Sequence, residues 1–302
     1  MIIFSIIISV LCLALLFYVR KTSKVFSDKI ALLEKTNNDN NLVISDLNQK
    51  ILTLTASNSK LEKEKNELSE NVVFLHKNHL TPKNYVKSFF PEFFVIGDSS
   101  TGNFYKFYRS GEIFVICCGG GFSNDSIGAI RSVVNVIFLN EILEKSDLSK
   151  ISAGDVLDMI RDKYSHLEDF LKDRQQVDFS VCIFNKKAKT LDFSSSFSGL
   201  YLVRKSYPGT SRKEVDVHEF TGDRMTFKVS LGHRKKFSSC LIELEKDDRI
   251  YLKAGQNLSR ETILENASLT MKEQSEAYKN ALVNGGLLIG VDLKVKNSNE
   301  IS

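Results

Sequence analysis

The chain has 302 residues, 42% of them hydrophobic, with 41 basic and 37 acidic side chains and a formal net charge of +4. This length leaves room for one or two globular domains. The small positive excess is spread along the chain without a basic arm or zinc-finger spacing, which excludes a typical nucleic-acid-binding protein. The cysteine count is odd and no CxxC pair occurs, so neither a disulfide framework nor a zinc site is expected and a reducing compartment fits best. The cysteines are Cys12, Cys117, Cys118, Cys182 and Cys240.

Residues 1–19 are almost wholly apolar and predict a transmembrane helix, since a helix of that length just spans the hydrocarbon core of a bilayer. A cleaved signal peptide would need a basic first segment and a small-residue cleavage site, and the sequence has neither. A buried core helix is the weaker alternative. Because Arg20, Lys21 and Lys24 follow the apolar run and no Lys or Arg precedes it, the bulk of the chain is expected in the cytoplasm. The sequence thus predicts a single-pass protein of the cell inner membrane.

Residues 20–79 carry a heptad pattern that predicts a long parallel coiled coil, and hence a homodimer. The d positions are Phe26, Leu33, Asn40, Leu47, Leu54, Leu61, Leu68 and Leu75. The a positions are Ile30, Asn37, Ile44, Ile51, Asn58, Lys65 and Val72. β-branched residues at a with Leu at d favour two strands, and the polar a residues fix the register at a cost in stability. The rod would reach roughly 75 Å. The consecutive core asparagines Asn37 and Asn40 mark its weakest point, and one amphipathic helix folding back on the globular part is the alternative.

Residues 80–298 predict one globular domain, followed by a short tail at residues 299–302. The Leu80-Thr81-Pro82 segment ends the rod helix. Strand-like runs begin at residues 93, 103 and 112, with a hairpin turn at Ser110-Gly111. Helix-like segments cover residues 125–144 and 153–171. Further strands are expected at residues 178–185, 190–197 and 200–205 and as a pair within 238–253, then a helix at 260–283 and a strand at 287–296. This order indicates an α/β sandwich with mainly antiparallel sheets and is not a Rossmann alternation.

Five sequence segments in this domain carry a resemblance to a known family. They are TGNFYKF, the Ser110-Gly111 turn, ICCGGGF before a helix, FSSSFSGLYLVR, and LGHRKKFSSCLIELEKDDRIYLKAG. Their order and spacing over residues 89–296 resemble the bacterial metal-dependent PPM-type phosphatases of the protein phosphatase 2C superfamily, in the branch typified by stage II sporulation protein E. That branch reads GGDFYDF, a hairpin, ADVSGHG, VNAGHPP and LGv…L..GDrlllyTDG in the same places.

The resemblance implies a two-metal phosphatase site whose carboxylates are replaced in this chain. Such sites hold two Mg²⁺ or Mn²⁺ ions with oxygen ligands, mostly anionic. The two aspartates of the first motif become Asn103 and Lys106, and that of the second becomes Cys118, which is a soft ligand. The third falls on Ala254 or Gly255, and the C-terminal pair on apolar Leu288-Ile289 with Asp292 nearby. We therefore expect no catalytic residue, no metal ligand and no cofactor, and a pseudophosphatase.

Other polar clusters offer alternatives to this interpretation. Asp98, Asp125 and Asp178 could form an unconventional metal site. The Gly119-Gly120-Gly121 run could hold a phosphate before a helix, but no Lys-Ser/Thr pair follows it, so a tight turn is the simpler interpretation. Adjacent Cys117 and Cys118 should point to opposite faces of a strand. The histidines show no metal-ligand spacing, and those at the end of the rod, His76 and His79, are expected in solvent.

Three functions remain open from the sequence. The preferred one is a dimeric, non-catalytic signalling or scaffolding module that binds a cytosolic partner. By resemblance, that partner is a phosphorylated regulator or its kinase. The second is an active serine/threonine phosphatase with a rearranged metal site. The third is a structural spacer in a membrane assembly.

Overall fold

The computed structural model describes residues 2–97, 102–120, 126–165, 178–205, 215–225, 235–255, 258–281 and 286–294, with side chains except at 2–10, 12, 14, 126, 280 and 281. The chain divides into two compact units, Met1–Glu67 and Leu68–Ser302. The first unit is part of a single helix, α1 (Ile2–His79), which continues into the second. No proline or glycine interrupts residues 2–79, so the i to i−4 hydrogen-bond ladder can run unbroken.

The first unit exposes the side chains that the heptad pattern assigns to a core. Leu33 is 68% exposed, Leu47 51% and Leu54 63%, because the structure contains one chain. Charged pairs one turn apart, such as Lys50 and Asp46 at 2.7 Å, lie on other faces of the helix. The pairing of two such helices stays a prediction.

The predicted membrane helix at residues 1–19 falls largely on positions whose side chains lie outside the described part. Within the residues that are described, no helical segment combines the length and the apolarity that crossing a membrane requires.

The second unit is built on two antiparallel sheets of five strands each. The first has the order β1 (Phe93–Ile96), β10 (Leu287–Asp292), β9 (Arg249–Ala254), β6 (Gly199–Lys205), β7 (Val215–Thr221). The second has the order β2 (Phe104–Ser110), β3 (Ile113–Gly120), β4 (Asp178–Asn185), β5 (Thr190–Ser196), β8 (Cys240–Glu243). The central strands are apolar along their whole length because both faces are covered: β3 reads IFVICCGG, and all but its first residue are buried.

The domain consists of four layers. The two sheets pack face to face, α3 (Ser126–Lys145) and α4 (Ala153–Ser165) cover the outer face of the second sheet, and α5 (Arg260–Asn266) and α6 (Met271–Ala281) cover the first. A short helix, α2 (Lys83–Lys87), follows the end of α1. The α/β class and the antiparallel sheets agree with the sequence prediction, and β2 and β3 form the predicted hairpin, with Gly111 at a φ of +60° in the turn.

The single helix predicted at residues 260–283 is wrong within the described part, because the chain breaks into α5 and α6. Thr270 and Glu273 form a capping box that starts α6: the Thr270 N–H donates to Glu273 Oε2 at 2.9 Å, and the Glu273 N–H donates to Thr270 Oγ1 at 3.3 Å. Arg249 Nη1 donates to the carbonyls of Ala267 and Leu269 in the break, at 3.2 and 2.8 Å. Residues 282–283 lie outside the described part.

Strand β7 was not predicted from the sequence. It is an edge strand that pairs with β6, and three of its seven residues are exposed, namely His218, Glu219 and Thr221. An edge strand of this kind needs no apolar run. Its sequence, VDVHEFT, alternates with polar residues and therefore lacks the apolar pattern by which the other strands were predicted.

Candidate functional site

The ends of several strands meet at one edge of the sandwich and form what we call the strand-end site: Asn103, Gly120, Asp178, Ala254 and Gly255. Asn103 immediately precedes β2, Gly120 ends β3, Asp178 begins β4, Ala254 ends β9 and Gly255 follows it. A side chain at Gly120 would have its Cβ 2.5 Å from Asn103 Oδ1 and 3.3 Å from the Ala254 methyl group. Three of the strand ends are therefore in direct contact at this point.

Asn103 is fixed from two sides. Its side-chain Nδ2 donates to the Gly97 carbonyl at 2.9 Å. Its backbone carbonyl accepts from His76 Nε2, on the last turns of α1, at 2.6 Å. His76 is 2% exposed, so the expectation that it lies in solvent is wrong. Burial lowers the pKa of the His76 imidazole, and the hydrogen bond to Asn103 partly opposes that change.

Asp178 contributes a carboxylate to the site. Its Oδ2 accepts from the Gly255 N–H at 2.7 Å, across the gap between the two sheets. Burial raises the pKa of the Asp178 carboxyl, against hydrogen bonds from Gly255 and Ser198 and the attraction of Lys253. Burial also lowers the pKa of the Lys253 ammonium, which Glu219 and Asp178 partly offset. The local charge thus includes a cation from β9 as well as the carboxylate.

Lys106, the second position of the first motif, does not lie at the strand-end site. In the hairpin register it is opposite Cys117, and its ammonium is attracted by Glu144 of α3. Side chains alternate along β2, so Lys106 faces the helices while Asn103 faces the other sheet. The two positions of the first motif are therefore on opposite faces of the strand.

The adjacent cysteines also point in opposite directions. Cys118 lies beside Ser180 and near Asp178, whereas Cys117 faces Lys106. Both thiols are fully buried, and burial raises the pKa of each far above its usual value, as it does for Cys182. A buried neutral thiol is a poor nucleophile and a poor ligand, so these residues act as packing groups.

The remaining sequence candidates divide between the site and other places. Ala254, not Gly255, ends β9 and has the methyl group that meets Gly120. Leu288 packs toward α5 and α6, and Ile289 packs between the sheets. Asp292 lies at the other end of β10, roughly 17 Å from Leu287 along the strand, where it pairs with Arg249 at 3.5 Å. It is therefore not near the site. Asp98, Asp125 and Gly121 lie outside the described residues.

The donor atoms of the strand-end site do not fit a pair of divalent cations. Asn103 can offer one neutral oxygen, and Asp178 offers a carboxylate that already accepts hydrogen bonds from Gly255 and Ser198, with the Lys253 ammonium close enough to attract it. Hard cations need several oxygen ligands, preferably anionic. In the part of the chain that the structure describes, no group of three or more His, Cys, Asp or Glu residues could hold a metal ion.

The fold is similar to that of solved structures, although no sequence comparison finds a relative. No family model matches the chain, and no curated protein sequence does. The SiaA-PP2C domain of Pseudomonas aeruginosa superimposes with a TM-score of 0.59 at 15% identity, over 77% of this chain and 98% of that one.

The domain has the PPM phosphatase fold. Two further solved structures are similar at lower scores. The PP2C phosphatase domain of SpoIIE from Bacillus subtilis has a TM-score of 0.49 at 11% identity, over 65% of this chain and 58% of that one. The serine/threonine phosphatase of S. agalactiae has a TM-score of 0.46 at 13% identity, over 63% of this chain and 92% of that one.

Sequence reasoning missed three residues of the strand-end site. His76, Lys253 and Ser198 all contact or act on Asn103 or Asp178. The signal for His76 was its position one helical turn after Val72 and four residues before Leu80, which follows α1; all three residues are buried. Lys253 gave no signal, because it is one of many lysines and its neighbours come from other strands.

Proposed function

We propose that the chain is a membrane-anchored, dimeric pseudophosphatase of the branch typified by stage II sporulation protein E. In this proposal the PPM-fold domain does not hydrolyse phosphate esters but binds a cytosolic protein partner. The observation that carries it is the composition of the strand-end site, where Asn103, Gly120 and Ala254 surround the single described carboxylate of Asp178.

The physical argument concerns charge. Two-metal hydrolysis needs carboxylates that hold both cations and lower the pKa of a bound water. Gly120 and Ala254 have no donor atoms in their side chains, and the amide of Asn103 is neutral. The Lys253 ammonium adds a positive charge within electrostatic reach of Asp178. Two divalent cations would therefore meet little compensating charge among the described residues.

The anchor and the dimer belong to the same proposal and rest on the sequence. The apolar residues 1–19 would hold the chain at the inner membrane with its domain in the cytoplasm. The exposed apolar a and d residues of α1 support pairing with a second copy. Two domains on one rod would capture a dimeric partner bivalently, which raises avidity without new contacts. By resemblance, the partner is a phosphorylated regulator or its kinase.

The alternative is an active serine/threonine phosphatase with an unconventional metal site. One observation favours it: Asp178, which the sequence offered as a substitute ligand, does reach the strand-end site. The other two carboxylates of that set, Asp98 and Asp125, lie outside the described residues.

The test is a calorimetric titration of Mn²⁺ into the full chain in detergent micelles, up to millimolar metal, together with hydrolysis of p-nitrophenyl phosphate. We expect no saturable heat and no hydrolysis above that of buffer. The matched variants are Asp178→Asn in the site and Asp216→Asn, a partly exposed carboxylate on β7. Micromolar Mn²⁺ binding or hydrolysis that is lost in Asp178→Asn but kept in Asp216→Asn would replace the proposal with the active phosphatase.

A further inference from the structure

A second concave surface lies at the end of the sandwich away from the strand-end site. It is formed where β4 and β8 end, where β5 and β9 begin, and just after β10. Asp178 and Asn185 are the two ends of β4, so the surfaces are roughly 23 Å apart along that strand. We call this surface the lysine groove; its volume is about 540 Å³.

The floor of the lysine groove is apolar. Phe184 is buried against the core, and Leu244 and Leu293 are partly buried and pack against the same cluster. Apolar side chains at the bottom of an open groove lose water contacts when a ligand covers them. At about 540 Å³ the groove has room for a few side chains of a ligand.

The rim of the groove is basic. Lys186, Lys189, Lys246 and Lys294 line it, together with the carboxylates of Glu245 and Asp247. Each of these carboxylates already has a cation. Glu245 pairs with Arg204 at 3.0 Å, and Asp247 pairs with Lys294 at 2.9 Å. The groove therefore has an excess of positive charge, and an anionic ligand would find lysines on several sides.

Both turns that border the groove hold a non-glycine residue in the left-handed region. Lys189 has a φ of 53° and Asp247 a φ of 63°. Such residues are uncommon and concentrate at binding sites, where the surroundings hold them in place. Together with the charge and the shape of the groove, these two residues indicate a binding surface.

We propose that the lysine groove binds an acidic peptide segment of a partner protein, with one or more large apolar side chains inserted against Phe184, Leu244 and Leu293. An apolar centre with a charged rim is the usual anatomy of a protein interface, and complementary charge supplies specificity and association rate. The groove is remote from the strand-end site, so the inference holds whether or not that site hydrolyses phosphate.

The experiment is a selection of random peptides displayed on phage, using the full chain in detergent micelles. A chain with Lys189→Glu and Lys246→Glu serves for counter-selection. We expect the enriched peptides to combine Asp or Glu with Phe, Leu or Ile. Peptides without acidic residues, or enrichment that survives the double charge reversal, would overturn the proposal.

The enriched peptide is then synthesised with a fluorophore and titrated by anisotropy. Lys189→Glu and Lys246→Glu should each weaken binding by about tenfold or more, and replacing the acids by amides or the large apolar residue by Ala in the peptide should do the same. Lys272→Glu, a charge reversal of an exposed lysine in the first turn of α6, should leave the affinity unchanged. Circular dichroism melts check that each variant is folded.

Anionic lipid is the competing ligand for a basic groove with an apolar floor. Short-chain phosphatidylglycerol, added as a competitor to the chain in the same detergent micelles, should not displace the peptide. If no peptide is enriched, and labelled phosphatidylglycerol binds the native chain but not Lys246→Glu, the groove is a lipid site and the peptide proposal is refuted.

Discussion

The Arg204→Met substitution would leave a buried carboxylate without its cation. Asp248, in the turn between β8 and β9, is fully buried. Its Oδ1 accepts from Arg204 Nε at 3.0 Å and its Oδ2 from Arg204 Nη2 at 2.8 Å, a bidentate pair. Arg204 Nη2 also donates to the Glu243 carbonyl at 2.8 Å. In the variant, the Glu245 N–H, at 2.8 Å from Oδ2, would remain as a partner.

The expected loss of unfolding free energy is about 3–5 kcal/mol, because removing one partner of a buried ion pair leaves an uncompensated charge. This is a large part of the roughly 5–15 kcal/mol that stabilises a typical domain. The double variant Arg204→Met/Asp248→Asn should be more stable than Arg204→Met alone, since the neutral amide costs less to bury. Against the native chain it should lose about 1–3 kcal/mol for the missing hydrogen bonds.

Urea unfolding of the full chain measures these values. The chain has no Trp and nine Tyr, so tyrosine fluorescence and near-ultraviolet circular dichroism follow the domain. Several of these tyrosines, including Tyr251 and Tyr278, are buried in it. Arg260→Met is the control: its side chain is 54% exposed and lies 3.9 Å from Asp216, and its Nε donates to the Val217 carbonyl at 2.9 Å. The loss of one exposed ion pair and one hydrogen bond should cost about 1 kcal/mol.

Two results would refute the reasoning. If Arg204→Met lost no more than the Arg260→Met control, burial of Asp248 would carry no energetic penalty. If the double variant were less stable than Arg204→Met, the orphaned carboxylate would not be the source of the loss, and the other contacts of Arg204 would be.

Burial lowers the pKa of His76 below its usual 6.5 in the folded chain. The unfolded chain therefore takes up the proton first, and stability should fall as the pH drops from about 6.5 toward the lowered value. His76→Gln should flatten this slope in urea titrations, and an unchanged slope would mean that the burial of His76 does not cause it. In the rod, Leu54→Lys/Leu61→Lys at predicted d positions should convert a dimer into a monomer by sedimentation equilibrium in density-matched detergent. Leu52→Lys, one residue after an a position, should not, and a native chain that sediments as a monomer would exclude the coiled coil.

Local sequence patterns predicted much of the fold. The apolar run of β3, the Ser110-Gly111 turn and the glycine-poor rod each depend on neighbours in the chain, so periodicity and turn chemistry identify them. The capping box of Thr270 and Glu273 was also a local signal, and it was overlooked because the residues around it are good helix formers.

The site was less predictable, because its geometry depends on pairing between distant strands. The sequence placed Asn103 and Lys106 in one motif, although side chains three residues apart along a strand face opposite sides of the sheet. The pairing between distant strands matters for Asp178, whose partner Gly255 is 77 residues away along the chain. A motif gives the order of residues, whereas side-chain direction follows from the strand on which each residue lies.

The burial of Cys117, Cys118 and Cys182 has a practical consequence for labelling. Among the four cysteines whose side chains the structure describes, Cys240 is exposed and the other three are buried. Maleimides and iodoacetamides react with thiolates, and burial keeps the three interior thiols protonated. A dye offered to the folded domain should therefore attach to Cys240 without any mutation. It would report from β8, the strand that leads directly to the lysine groove.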